Sequence, residues 1–126
     1  PTEILRTLET AKRTRPERRI IIAFEPHRFT RTRDCWDQFL HCFNHADELF
    51  LCPIYPASEA PIEGITTERL VADINRLHPG LATGLTGHQG LRELLMRRFD
   101  RPTTVLALGA GAIGKKVREY VKELEK

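Results

Sequence analysis

The chain has 126 residues, a length that suits one domain and can bury an ordinary core without disulfide or metal staples. Apolar residues at 40% and charged residues at 29% exclude a disordered chain, and no apolar run approaches the ~20 residues that cross a bilayer. Lys plus Arg is 20 against 17 for Asp plus Glu, a net +3 that falls well short of a dedicated nucleic-acid binder.

Thr2 is placed to cap a first helix, whose apolar positions Ile4, Leu5, Leu8 and Ala11 recur at helical spacing. Pro16 disfavours the α conformation in the residue before it, so that helix should end near Arg15. RIIIAF, residues 19–24, is a short apolar run rich in β-branched residues, the pattern of a strand buried on both faces in a parallel sheet. After the polar stretch EPHRFTRTR, a second helix is expected from Asp34 to Phe43, with Thr32 as its cap.

ELFLC at 48–52 reads as a second buried strand, followed by a proline-rich loop from Pro53 to Ile65. Thr66 or Thr67 opens a third helix that ends near Leu77, stopped by HPG at 78–80. A short strand is expected around Leu81–Thr83 and a helix from Gly87 to Phe99. TVLAL at 104–108, with Thr103 before it, is the clearest strand, and a helix from Ala112 to Lys126 follows. Alternation of this kind predicts a single α/β domain over 1–126 with a mainly parallel sheet and helices on both faces.

Such sheets bind ligands beyond the carboxyl ends of their strands, which singles out the loops 25–33, 53–65 and 109–114. PHRFTRT, residues 26–32, puts His27, Arg28 and Arg31 directly after a buried strand. Arginine offers a planar two-pronged donor to carboxylates and phosphates, so these three residues are the candidate anion site, against a merely solvated basic loop. Glu59, in YPASEAPIEG, is the one carboxylate placed where a ligand could meet it, and a structural loop role is equally open.

GAGAIG at 109–114 has the Gly-x-Gly-x-x-Gly spacing between a strand and a helix. The acidic residue and following strand of a dinucleotide unit are missing after it. What remains is a turn at Gly109 and Gly111 whose amides suit a phosphate or carboxylate, or glycines needed only for close packing. The basic run KRTRPERR, residues 12–19, lies at the opposite end of the same strand and reads as a solvated helix terminus.

Cys35, Cys42 and Cys52 form an odd set without framework or zinc-finger spacing, so no metal site is assigned and a reducing, cytoplasmic compartment is expected. The opening PTEILRTLE has no apolar stretch of the kind that marks a secretory signal.

PTEI at the start, FEPHRFTRTRD at 24–34, IYPASEAPIEG at 54–64 and LGAGAIG at 108–114 occur in that order. Together they resemble the C-terminal domain of the Mur ligase family, in the branch that joins L-alanine to UDP-N-acetylmuramate during peptidoglycan synthesis. The resemblance covers essentially the whole chain. It implies a Rossmann-like third domain that closes over ATP and substrate held by two preceding domains of a longer enzyme. It also implies chemistry in which ATP and Mg²⁺ activate the muramate carboxylate as an acyl phosphate, which the amine of L-alanine attacks.

Carried onto this sequence, Arg28 and Arg31 match the arginines that meet the amino-acid carboxylate and acyl-phosphate region, with His27 beside them. Ala112 stands where family members often have Asp, and the family stretch that precedes PTE is not part of this chain. The resemblance therefore implies a fragment that is not catalytic alone, with ATP and Mg²⁺ bound mainly by the other domains, while the modest charge and the lack of a long apolar run lead us to expect no nucleic-acid or membrane partner. A related ligase that recycles murein peptide, and a free-standing anion- or nucleotide-binding α/β module, stay open as alternatives.

Overall fold

The computed structural model describes residues 1–109 and 111–124. Among them, helix α1 (Thr2–Thr14) leads into strand β1 (Arg19–Phe24), then helices α2 (Phe29–Asp34) and α3 (Trp36–Phe39). Strand β2 (Glu48–Leu51), helix α4 (Thr67–Leu77), strand β3 (Ala82–Gly84), helix α5 (His88–Met96), strand β4 (Thr103–Leu108) and helix α6 (Ile113–Leu124) complete the described chain. The four strands form one sheet in the order β3-β2-β1-β4, and every pairing is parallel.

β1 shows why the run RIIIAF is apolar throughout. Ile20, Ile22 and Phe24 point to one side and pack with Ile4 and Leu8 of α1, Phe39 of α3, and Leu70 and Ile74 of α4. Ile21 and Ala23 point to the other side and meet Leu91 and Leu94 of α5 and Ile113 of α6. A central strand with a helix layer on each face has no solvated side, so alternation vanishes from its sequence. The expected α/β layering is therefore the observed one.

Three local differences have physical causes. The second helix begins at Phe29 rather than Asp34, and it breaks at Cys35 before the short α3. Thr32 lies buried inside it, with its hydroxyl donating to the Arg28 carbonyl at 2.7 Å instead of capping. α1 starts directly after Pro1, with no side-chain cap from Thr2. α5 stops at Met96, because Arg97 turns extended and its guanidinium reaches Glu48 at 3.1 Å. α4 is capped as its sequence suggests, by the Thr66 hydroxyl accepting from the Arg69 amide at 3.1 Å.

The chain steps outward from β1 to β2 to β3, then returns to the far side of β1 for β4. The direction of winding therefore reverses between β1 and β4. At the carboxyl end of such a reversal, the connecting loops diverge and leave a crevice. The Glu25 amide, which donates to the Leu108 carbonyl at 3.0 Å, is the last tie before the two chains part.

Candidate functional site

The segment leaving β1 is held by the segment leaving β2. The Tyr55 amide donates to the Pro26 carbonyl at 2.8 Å and the Arg28 amide to the Tyr55 carbonyl at 2.7 Å. His27 and Tyr55 form a bridge at this point, and their rings stack at 5.5 Å with 9° between planes.

Arg28 then takes a φ of 72°, a region that residues with a side chain rarely occupy. Such a conformation costs about 1–3 kcal/mol and persists only where the surroundings hold it. Here the Tyr55 carbonyl holds the Arg28 amide, while the Arg28 carbonyl accepts from the Thr32 amide at 3.1 Å as well as from the Thr32 hydroxyl.

Arg31, expected in a loop, stands instead on α2, just beyond Arg28. Both arginines are exposed, and neither enters an ion pair among the described residues. Neighbouring Arg33, by contrast, is spent on Asp34 at 3.0 Å. Arg31 and His27 line a cavity of about 330 Å³ in the crevice between β1 and β4, together with Glu25, Phe24, Gly109 and the first turns of α1. Arg28 lies outside that lining, so the structure gathers His27 and Arg31 on one cavity and leaves Arg28 at its approach.

Glu59 takes the structural part left open for it in this loop. Ala57 and Ser58 take positive φ values of 49° and 72°, curling the loop back toward α2. Glu59 Oε1 then accepts from the Thr30 amide at 3.0 Å, and Oε2 from the Thr30 hydroxyl at 2.5 Å. It supplies from a distant loop the cap that α2 lacks locally. The Thr30 hydroxyl first, and the Thr30 amide next, hold its carboxyl below the usual glutamate range.

The glycine turn is likewise occupied from within. Ala110 lies outside the described residues, but Gly109 and Gly111 are both crowded. A methyl group on Gly109 would come within 2.9 Å of Ile113 and 3.0 Å of the Glu25 carbonyl. On Gly111 it would collide with the Glu25 carboxylate on one side and the Tyr55 ring, at 2.8 Å, on the other. The Ile113 amide at the start of α6 donates to Glu25 Oε1 at 3.3 Å, and His88 Nε2 lies 3.2 Å from Glu25 Oε2. One amide that the sequence offers to an anion is thus already given to the protein's own carboxylate.

Sequence reasoning missed Glu25 and His88, although a glutamate closing an otherwise apolar strand, RIIIAFE, was a visible signal. Glu25 is 3% exposed, and a carboxylate that deep is retained only with partners.

Burial pushes the Cys42 thiol up to about 11 and that of Cys52 to about 12, the latter helped by the nearby Glu25 charge. Both therefore stay protonated at neutral pH and are poor nucleophiles. Among the described residues no three His, Cys, Asp or Glu side chains are grouped to hold a metal ion. No described helix is long and apolar enough to cross a membrane. The arrangement presents two exposed guanidinium groups, without ion-pair partners among the described residues, at or beside a half-polar crevice.

No family model matches the chain. Curated relatives do match it along its whole length. A UDP-N-acetylmuramate–L-alanine ligase of Geobacter sulfurreducens is 42% identical over 125 residues, which are 99% of this chain and 27% of that protein. Ligases of the same name from Sorangium cellulosum and Pelobacter propionicus are 41% and 38% identical, again across 99% and 100% of this chain and 27% of theirs. The chain is thus homologous to one segment of these ligases, and it spans about a quarter of the length of the curated relatives it matches.

Proposed function

We propose that this chain, a relative over 99% of its length of UDP-N-acetylmuramate–L-alanine ligases, is the C-terminal domain of such an enzyme and supplies the arginine-bearing wall of its substrate site. The whole enzyme would join L-alanine to UDP-N-acetylmuramate in the cytoplasm at the expense of ATP. In that role Arg28 and Arg31 meet an anionic oxygen, either the amino-acid carboxylate or the acyl-phosphate region. His27, braced by the Tyr55 ring, shapes the crevice between them and β1. Glu59 keeps the arginine segment in place through Thr30.

The observation that carries the reading is Arg28. An exposed guanidinium with no ion-pair partner among the described residues sits on a backbone held at φ 72°, beside the residues that line the crevice where the winding of the sheet reverses. Strain maintained at such a point is a mark of a functional residue rather than of a solvated turn.

The test is turnover in the full-length ligase. A charge-assisted hydrogen bond is worth about 1.5–3 kcal/mol, so Arg28→Ala and Arg31→Ala should each lower kcat/KM for L-alanine by about 10- to 150-fold. Melting temperature should barely move, and Arg33→Ala, whose side chain is already paired with Asp34, is the control. Near-normal kcat/KM in both variants defeats the assignment. The 126-residue chain alone should release no phosphate from ATP in the presence of L-alanine and UDP-N-acetylmuramate, because phosphoryl transfer depends on positioned cations that its described residues do not provide.

A further inference from the structure

We infer that Glu25, oriented by His88, is a positioning residue of this site: its carboxylate is the internal anion that locks the glycine turn against the arginine segment. The inference rests on the ligase reading above.

Glu25 occupies a singular place in the fold. It follows directly on the last pair of the β1–β4 ladder, Phe24 with Leu108, and its amide donates to the Leu108 carbonyl at 3.0 Å. Its side chain reaches across the reversal point to the first amide of α6 and to His88 at the start of α5. One carboxylate therefore joins three chain segments that converge on the crevice. The contact with His88 Nε2 pairs a carboxylate oxygen, an acceptor, with a ring nitrogen that serves as donor in the Nε2–H tautomer.

Gly111 lies between this carboxylate and the Tyr55 ring, whose other neighbour is His27. Across the crevice the order is Glu25, the turn, Tyr55 and His27, with Arg28 hydrogen-bonded to the Tyr55 backbone. No slack exists in that stack, since even a methyl group on Gly111 overlaps both sides. Moving Glu25 therefore moves the turn, then Tyr55, then the peptide that carries Arg28.

A core carboxylate kept only for stability would be an uneconomical choice, because an apolar residue of similar volume is often as stabilising. Placement is what it adds. A misplacement of about 1 Å at a site of this kind costs up to about 100-fold in rate.

The experiment measures kcat, KM for L-alanine and melting temperature in the full-length ligase, with assays run well below each variant's transition. Glu25→Ala leaves the Ile113 amide without its acceptor and should lower kcat/KM by about tenfold or more. Glu25→Gln keeps an oxygen for that amide but loses the charge and turns an N–H₂ group toward His88 Nε2, so it should recover kcat/KM only in part, to a value between Glu25→Ala and the parent. His88→Ala, which removes the orienting partner alone, should fall between them.

A purely structural Glu25 predicts the opposite pattern, with lower melting temperatures but unchanged kcat/KM in the folded fraction of all three variants. That result overturns the inference. Should Glu25→Ala fail to fold, His88→Ala decides: a loss of about threefold or more supports positioning, and an unchanged kcat/KM refutes it. Arg28→Ala, run in parallel, separates the two levels. If it and Arg31→Ala are also silent, the site reading itself is wrong; if the arginine variants alone are damaged, only the role of Glu25 fails.

Discussion

Arginines crowd both ends of the sheet, yet the two ends use them differently. At the amino end, Arg19 and Arg97 converge on Glu48 at 3.2 and 3.1 Å, and Arg97 also lies over the Phe99 ring at 5.0 Å. Lys12 and Arg13 sit in the last turn of α1, where cations suit the helix dipole. Asp47 ties the start of β1 by accepting from the buried Ile20 amide at 2.7 Å. At the carboxyl end, Arg28 and Arg31 have no ionic partner among the described residues, the backbone at Arg28 is strained, and a carboxylate is buried beneath. Charge that folding consumes on its own partners marks structure. Arg13, Arg15 and Arg18 at the amino end likewise have no ion pair among the described residues, so what sets the carboxyl end apart is the positive φ at Arg28 together with the buried carboxylate of Glu25.

The contrast can be broken most sharply at glycine. Gly111→Ala, at the crowded carboxyl end, should cost about 3 kcal/mol, the upper range for overpacking, because a carboxylate and an aromatic ring must both move. Gly80→Ala, at the amino end, meets nothing within 4 Å and pays only for its φ of 77°, about 1 kcal/mol. Denaturant titration of the two variants checks the difference. Equal losses would mean that the turn at Gly111 has room and that the tight stack on Tyr55 is wrong.

At the amino end, the largest single effect should come from Asp47→Ala. It strips the acceptor from a fully buried amide, a loss of about 2 kcal/mol with turnover of the folded enzyme unchanged. Glu48→Gln should cost less, below about 1 kcal/mol, since its arginine partners are partly exposed and screened. Either variant lowering kcat/KM by an amount comparable to Arg28→Ala would erase the functional distinction between the two ends.

What was legible in the sequence divides along the same line. β1, β4 and α4 were readable because their signals are local: a β-branched apolar run, or a threonine cap ahead of a periodic segment. The start of α2 was not, because its cap comes from Glu59, 29 positions further along the chain. The pairing of Glu25 with His88 spans 63 positions, so the glutamate that closes RIIIAFE signals a buried carboxylate while nothing local names its partner. His27, Arg28 and Arg31 could be nominated from their place after a buried strand, but the strained peptide and the Tyr55 brace appear only when β1 and β2 lie side by side. Tertiary partners decide the carboxyl end, which is why a reading by local pattern reached its residues and not its geometry.

The smallest effect, and the one that sharpens the comparison within the site itself, is the pH response of Glu59. Its carboxyl is held below the usual glutamate range, chiefly by the Thr30 hydroxyl and then by the Thr30 amide. The folded state therefore binds its proton more weakly than the unfolded chain does. The resulting stability is fully present above the unfolded-state value and is lost as pH falls through the lower folded-state value. Because Glu59 is in contact with solvent, the effect should be local: α2 loosens at its first turn while the sheet stays intact. The Thr30 amide proton resonance should titrate with a midpoint below that of an ordinary glutamate, and Glu59→Gln should abolish the titration while leaving the Ile20 amide at the amino end unaffected. A Thr30 amide with an ordinary glutamate midpoint would show that the loop does not grip α2, and that Arg31 owes its position to the helix alone.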